Sequence, residues 1–294
     1  MTITAAMVKD LRERTGAGMM ECKKALVETA GDMDAAAEAL RVSGQAKADK
    51  KAGRVAADGT VVIQLAGNKA VIAEVNSETD FVAKDDNFLA FANAVATLAL
   101  ASGTTDVGAL ADEKLADGRT VETARTDLIS KVGENISVRR IAILENAGPI
   151  AFYSHGARIG VVVALAGGDE DLARDLAMHI AATNPMCVDE SGVSAETLAS
   201  ERRIYAEQAA ESGKPPEIVE KMVAGRVAKF LKEVTLVGQP FVKDPDQTVG
   251  KLLASAGATV TSFIRFEVGE GIEKKVENFA DEVMKQIADA KKSG

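Results

Sequence analysis

Residues 61–75 read VVIQLAGNKAVIAEV, and residues 150–166 read IAFYSHGARIGVVVALA. Each stretch has two apolar runs rich in β-branched residues on either side of a dipeptide that begins with glycine, Gly67-Asn68 or Gly156-Ala157. This pattern is typical of a β-hairpin with a tight turn. The sequence therefore predicts two similar hairpins within one chain.

An amphipathic helix follows each predicted hairpin, starting near Asn87 in the first copy and near Asp171 in the second. The two hairpin turns are 89 residues apart, whereas the two helix starts are 84 residues apart. The first copy therefore has about five extra residues between its second strand and its helix, within residues 76–86. An enlargement confined to one connection of a repeated unit favours a functional role for that connection.

Three short helices are predicted before the first hairpin. Thr4 and Asp32 are candidate N-caps, and Gly16, Gly31 and Gly44 are predicted to end the three helices in turn. Three helices in so few residues form a bundle that is marginal by itself.

The charge is unevenly distributed along the 294 residues, which carry a net charge of −9. Residues 1–54 have a net charge of +2, and the small, basic segment 45–57 is predicted to be a tether. Its charge fits either a solvated linker or a contact strip for an acidic partner. The acidic balance elsewhere argues against a general nucleic-acid binder.

Several features predict a cytoplasmic protein. The N-terminus does not resemble a signal peptide, and the longest apolar run, residues 159–166, is far too short to span a bilayer. The two cysteines, Cys22 and Cys187, are far apart in sequence and offer no disulfide framework, which fits a reducing compartment.

The second half of the chain adds an antiparallel helical hairpin over residues 194–233, which either packs within its domain or projects as a dimer-forming arm. A short helix, a strand over residues 260–268 and a final amphipathic helix follow. The fold class is α+β. The predicted divisions are a three-helix module with a basic linker (1–54), a first core subdomain (55–146), a second core subdomain (147–193 and 234–268), the helical hairpin (194–233) and a C-terminal helical module (269–294).

The sequence does not contain the common catalytic motifs. It has no GxxxxGK[ST] phosphate loop, no HExxH, no paired CxxC and no nucleophile elbow. His179 is interpreted as a helix residue at the core boundary and His155 as a turn residue. We therefore expect no enzyme activity, no catalytic residue, no metal and no cofactor.

Two stretches carry a specific resemblance. Residues 11–26, LRERTGAGMMECKKAL, and residues 74–84, EVNSETDFVAK, closely resemble the two signatures of the bacterial translation elongation factor Ts family. Glu21 and Ser77 depart from the aspartate and cysteine that are frequent there. Shorter matches follow in the family's order: HGARIG (155–160), GQPFV (238–242) and FIRFEVGEG (263–271).

The resemblance implies a guanine-nucleotide exchange factor. Such a factor binds elongation factor Tu in its GDP-bound and nucleotide-free states, disturbs the Mg²⁺ and phosphate site, and releases GDP so that GTP can bind. The implied architecture is an N-terminal bundle similar to a ubiquitin-associated (UBA) domain, two similar α+β core subdomains, an inserted helical hairpin and a C-terminal helix.

The family's exchange segment maps onto Thr79, Asp80, Phe81 and Val82, whose aromatic side chain inserts between helices of the partner's nucleotide domain. Without the resemblance, Phe81 is interpreted as core cover beneath the following helix. Further implied partner contacts are Arg12, Met19, Met20 and His155. Adjacent methionines on a helix point about 100° apart, so at least one of Met19 and Met20 is predicted to lie in the core.

Two other classes remain open at this stage. A helical-arm scaffold or chaperone-like protein would bind a partner without changing its nucleotide release rate, and a nucleotide enzyme would bind nucleotide by itself. A homodimer or a 2:2 complex with elongation factor Tu is compatible with the sequence. No membrane or direct nucleic-acid partner is expected.

Overall fold

The computed structural model describes residues 2–211 and 213–273, which form an α+β fold of helices and antiparallel sheets. The helices are α1 (Ala5–Thr15), α2 (Met19–Glu28), α3 (Met33–Lys51), α4 (Asp86–Ser102), α5 (Val107–Ala111), α6 (Val121–Val132), α7 (Glu170–Thr183), α8 (Ala195–Ala210), α9 (Pro216–Val234) and α10 (Val249–Ser255). The strands are β1 (Asp58–Ala66), β2 (Lys69–Ser77), β3 (Ser137–Glu145), β4 (Ile150–His155), β5 (Ile159–Ala166), β6 (Pro240–Phe241), β7 (Asp244–Thr248) and β8 (Thr259–Glu267).

Two similar units form the core, as the repeat predicted. The first sheet has the order β1-β2-β3 and the second the order β4-β5-β8, with antiparallel pairing throughout. Both predicted hairpins are present: Ala66 pairs with Lys69 around one turn, and His155 pairs with Ile159 around the other. Helix α4 covers the first sheet and α7 covers the second, each with a continuous apolar core.

The two sheets also pack against each other through their other faces. Buried residues from both sheets, including Ile72, Val162 and Phe266, form one cluster between them. Gly160 lies at a close approach of the two sheets, because a Cβ atom there would be 2.6 Å from Cγ1 of Val61. A larger residue at this position would push the sheets apart.

In the N-terminal bundle the predicted helix caps are confirmed, but the third helix ends later than predicted. The side chains of Thr4 and Asp32 cap α1 and α3, and Gly16 ends α1 with φ 69°. The prediction that Gly44 ends the third helix and that residues 45–57 form a tether is wrong, since α3 continues to Lys51.

The reason for the longer helix is its contact with α6. Gly44 and Ala48 are buried, and a Cβ atom on Gly44 would be 2.9 Å from Oγ of Ser130. Glycine therefore lets α3 approach α6 closely, and tertiary packing outweighs its low helix propensity. Lys47 forms an ion pair with Glu21 in the same bundle.

The predicted helical hairpin is present as α8 and α9, which pack on each other through a small separate cluster of Ala209, Val223 and Val227. Beyond residue 273, the predicted C-terminal helical module (269–294) lies outside the described residues. No helix of the described chain is long and apolar enough to cross a membrane.

His179 lies deeper than predicted. It is fully buried rather than at the core boundary, and both of its ring nitrogens have partners. The backbone N–H of Val242 donates to Nδ1 at 3.2 Å, so Nε2 carries the proton and donates to Oε1 of Gln239 at 2.9 Å. Burial lowers the pKa of His179 below its ordinary value of 6.5, and the bond to Gln239 opposes the shift. His179 is therefore a neutral structural residue.

Candidate functional site

The enlarged connection predicted from the repeat is a loop at the end of β2. It spans residues 78–85, between β2 and α4, whereas residues 167–169 join β5 to α7 in the second unit. The predicted extra residues are therefore confirmed and lie within this loop. A short 3-10 turn, Val82–Lys84, forms its second half.

A carboxylate from a different part of the chain holds the first half of the loop. Glu134, in the turn between α6 and β3, accepts a hydrogen bond from the backbone N–H of Thr79 at 3.0 Å and another from its hydroxyl at 2.7 Å. The side chain of Ser77 donates to the carbonyl oxygen of Thr79 at 2.9 Å. Thr79 is thus fixed through its N–H, its carbonyl and its side chain.

The neighbouring residues form a second, reciprocal contact. The backbone N–H of Asn135 donates to Oε1 of Glu78 at 2.6 Å, and Arg54 forms an ion pair with the same carboxylate. The side chain of Asn135 also donates to the carbonyl oxygen of Arg54 at 2.8 Å. The loop, the α6–β3 turn and the segment after α3 are therefore joined by one polar network.

The side chain of Phe81 extends from this anchored loop into solvent. It is 82% exposed, while the adjacent Val82 and Ala83 are buried in the core of the first unit. The interpretation of Phe81 as core cover is therefore wrong, because the loop buries its neighbours instead. Among the large hydrophobic residues that the structure describes, Phe81 is the most exposed.

Asp80 lies beside the exposed ring. Its carboxylate accepts a hydrogen bond from Nζ of Lys84 at 2.7 Å. This bond holds the pKa of Asp80 below its ordinary value of 3.8, and the positive charge of Arg158 acts in the same direction. Asp80 is therefore ionised at neutral pH, which gives the tip an acidic group next to an apolar one.

The turn that contains His155 lies against the first unit. The carbonyl oxygen of Ala157 accepts a hydrogen bond from the backbone N–H of Val61 at 2.9 Å, and Arg158 pairs with Asp58 at 3.1 Å. His155 is exposed, with Nδ1 3.1 Å from the hydroxyl of Tyr153. Asp58 is paired in the sheet with Ser77, the last residue before the loop, so this turn and the loop lie in the same region of the surface.

Arg12, Met19 and Met20 lie elsewhere, on the N-terminal bundle. Met19 is 59% exposed and Met20 is 73% exposed, so the prediction that one of them lies in the core is wrong. Met19 is the first residue of α2, and Ala17, just before the helix, packs against the bundle core instead. Arg12 is also exposed. The main contact between the bundle and the core is that of α3 with α6.

Glu74, the first residue of the stretch EVNSETDFVAK, is a fully buried carboxylate. It accepts hydrogen bonds from Nη1 of Arg139 at 3.0 Å, Nε of Arg140 at 2.6 Å and the backbone N–H of Gly269 at 2.8 Å. Burial opposes its ionisation, but these bonds and one from Asn76 together lower the pKa of Glu74 below 4.5. The network ties β2, which leads into the loop, to the turn after β8.

The described residues contain no group of three or more His, Cys, Asp or Glu side chains that could hold a metal ion. A cleft of about 760 Å³ opens between the bundle and the first unit. Arg119, on its wall, is paired with Asp117 and Asp127, and the loop 78–85 does not line it. The candidate site is therefore the exposed surface of the loop around Phe81, which lies outside this cleft.

Sequence reasoning did not identify Glu134 and Asn135. Glu134 is 55 residues from Thr79, and a polar pair after a helix-ending glycine has no local feature that distinguishes it from a solvated turn. The predicted residues Thr79, Asp80, Phe81 and Val82 do lie together, whereas Arg12, Met19 and Met20 do not join them.

Comparisons with known proteins agree with the resemblance. The sequence profile of the family described as Elongation factor TS matches residues 78–270. The chain is 64% identical to Elongation factor Ts of Thioalkalivibrio sulfidiphilus, over 99% of this chain and 100% of the relative. It is 59% identical to that of Idiomarina loihiensis, with the same coverage, and 60% identical to that of Methylococcus capsulatus, over 98% of this chain and 99% of the relative. The chain therefore belongs to the elongation factor Ts family.

Proposed function

We propose that this chain is a guanine-nucleotide exchange factor for elongation factor Tu. The observation that carries the proposal is the exposed ring of Phe81, held on a loop whose flanking residues are anchored to Glu134 and to the core. Membership of the family supports the choice of partner. The proposal places the chain in the cytoplasm, where protein synthesis takes place.

The exchange mechanism needs no covalent step. While the buried Val82 anchors the loop to the core, Phe81, next to the ionised Asp80, inserts between helices of the partner's nucleotide domain. Mg²⁺ is bound there by hard oxygen ligands with a demanding octahedral geometry. A small displacement of a helix or loop that supplies those ligands weakens the ion's hold on the diphosphate, which then loses part of its charge compensation.

GDP release follows from the difference between two affinities. The chain weakens GDP binding by the same factor by which GDP weakens binding of the chain. A protein that bound both states of elongation factor Tu equally would not shift this equilibrium. The energy gained when Phe81 is buried must therefore be realised mainly in the nucleotide-free complex.

The remaining predicted contacts supply affinity. Met19 and Met20 are flexible, exposed apolar side chains on the N-terminal bundle, with Arg12 exposed on α1, and methionine adapts well to a partner surface. His155 lies on the turn beside the loop, so it contacts the same nucleotide domain as Phe81. The helical hairpin of α8 and α9 has its own buried cluster, which fits a projecting arm that forms a dimer.

The rate of labelled GDP release from elongation factor Tu, with and without this chain, tests the proposal. An exchange factor accelerates release, whereas a scaffold or chaperone-like binder leaves the rate unchanged. A nucleotide enzyme would bind GDP in the absence of elongation factor Tu, which calorimetry on this chain alone would detect. If the chain acts on the ligands of Mg²⁺, chelation of Mg²⁺ should reduce the acceleration of GDP release by the chain. Without Mg²⁺, GDP release should already be fast in the absence of the chain.

A further inference from the structure

We propose that Glu134 is a positioning residue for Phe81. The inference rests on the exchange function proposed above and assigns a role to a residue outside the loop itself. Glu134 follows Gly133, the C-cap of α6, and its carboxylate accepts two hydrogen bonds from Thr79. Its two oxygens bind different parts of the same residue, so they fix the orientation of Thr79 as well as its position.

The constraint passes from Thr79 to the residues on both sides of Phe81. The hydroxyl that donates to Glu134 also accepts a long hydrogen bond, 3.4 Å, from the backbone N–H of Val82. The carbonyl oxygen of Thr79 accepts one from the backbone N–H of Ala83 at 3.2 Å. Thr79 therefore caps the turn that carries Phe81, and its two hydrogen bonds to Glu134 fix the position of Thr79.

The anchoring by Glu134 explains how an exposed side chain such as Phe81 can keep one direction in solvent. An apolar side chain in solvent has no packing contacts of its own to fix its direction, and a free loop would lose conformational entropy on insertion. Anchoring residues 79 and 82 in advance reduces that loss. The hydrogen bonds of Glu134 go to Thr79 and not to Phe81, so Glu134 acts on the ring through Thr79.

A simpler alternative is that Glu134 only stabilises the folded chain. That role predicts a lower melting temperature for Glu134→Ala and an unchanged GDP release rate once the chain is saturating. The positioning role predicts slower release at saturation, and it predicts that the effect depends on the ring at position 81. These outcomes can be separated by combining the substitution with Phe81→Ala.

The exchange experiment compares Glu134→Ala with Glu145→Ala, which removes a partly exposed carboxylate from the far end of β3, where it pairs with Lys69. Glu134→Ala should slow GDP release at saturation by about 3–30-fold, and Glu145→Ala should not. In the Phe81→Ala background, Glu134→Ala should have no further effect. An equal slowing in both backgrounds, or none in the first, would overturn the proposal.

A second measurement uses the free chain. The sequence contains no tryptophan, so Phe81→Trp introduces a single tryptophan into the loop, whose emission can be excited apart from that of the two tyrosines. Adding Glu134→Ala should lower its fluorescence anisotropy, because the indole would then move more freely, whereas Glu145→Ala should leave it unchanged. Equal anisotropy in all three proteins would overturn the proposal.

If Glu134→Ala melts at a lower temperature, Thr79→Val provides the independent test, since it removes the hydroxyl and leaves the carboxylate. Thr79→Val should lower the anisotropy of the Phe81→Trp protein and should slow GDP release, by a smaller factor than Glu134→Ala does. If neither the anisotropy nor the release rate changed, the proposed role would be contradicted. If the unsubstituted chain fails to accelerate GDP release, the exchange function is wrong. The anisotropy of the free chain would still decide whether Glu134 orders position 81.

Discussion

Phe81→Ala removes the ring that the account places between helices of elongation factor Tu. In the free chain this ring is 82% exposed and contributes little to the core. The backbone bonds that hold the loop involve Thr79, Val82 and Ala83 and do not depend on the ring. The variant should therefore fold and melt close to the unsubstituted chain.

The expected slowing of GDP release follows from the exposure of the Phe81 ring. Complete burial of a phenylalanine side chain stabilises by about 1.5–3 kcal/mol. Since 82% of Phe81 is exposed, its insertion contributes about 1.2–2.5 kcal/mol on the same scale. If this is realised in the nucleotide-free complex, Phe81→Ala should slow GDP release about 7–60-fold, taking 1.4 kcal/mol as a tenfold change.

The assay is the release rate of labelled GDP at saturating concentrations of each variant, together with its melting temperature. Met186→Ala is a matched control, because Met186 is 56% exposed and lies on the α7–α8 connection. The control should release GDP at the normal rate. If Phe81→Ala has a lowered melting temperature but supports the normal GDP release rate at saturation, insertion of the ring is ruled out as a cause of exchange.

Three further perturbations test other parts of the account. Replacing residues 194–233 by a short Gly-Ser link should leave a cooperatively melting core, because the arm has its own buried cluster; a broad melt would contradict this. A Met19→Ser, Met20→Ser variant should raise the chain concentration for half-maximal GDP release about tenfold at an unchanged saturated rate, and an unchanged half-maximal concentration would argue against a contact there. The lowered pKa of His179 means that the unfolded state binds the proton more readily, so the free energy of unfolding should fall as pH decreases below 6.5. Urea unfolding at about pH 7.5 and about pH 5.5 should show a smaller loss for His179→Gln, and equal losses would contradict the assignment.

The features that could be predicted from sequence were those set by local chemistry. The two hairpins followed from β-branched runs around glycine turns, and the caps Thr4, Asp32 and Gly16 from side chains that satisfy helix ends. The enlarged loop followed from a length difference between two repeats, and the exposure of Phe81 followed only from the family resemblance. The signals for the hairpins and caps lie within a few residues of the structure that they specify.

The errors arose where distant residues meet. Gly44 does not end α3, because α6 approaches it from residue 130. Both methionines at positions 19 and 20 are exposed, because the core of the bundle is filled by residues of all three helices, among them Leu11, Leu26 and Ala36. Glu134 reaches the loop across 55 residues of sequence. A single sequence carries no local sign of such contacts, so helical periodicity and turn residues could not reveal them.

Whether the chain drives exchange is decided by its affinity for elongation factor Tu with and without bound GDP. We expect tighter binding to the nucleotide-free protein, by the same factor by which the chain weakens GDP binding. In Phe81→Ala this difference should shrink, while binding through the N-terminal bundle is retained. Equal affinities of the unsubstituted chain for the two states would contradict the account, because the chain could not then favour release of GDP.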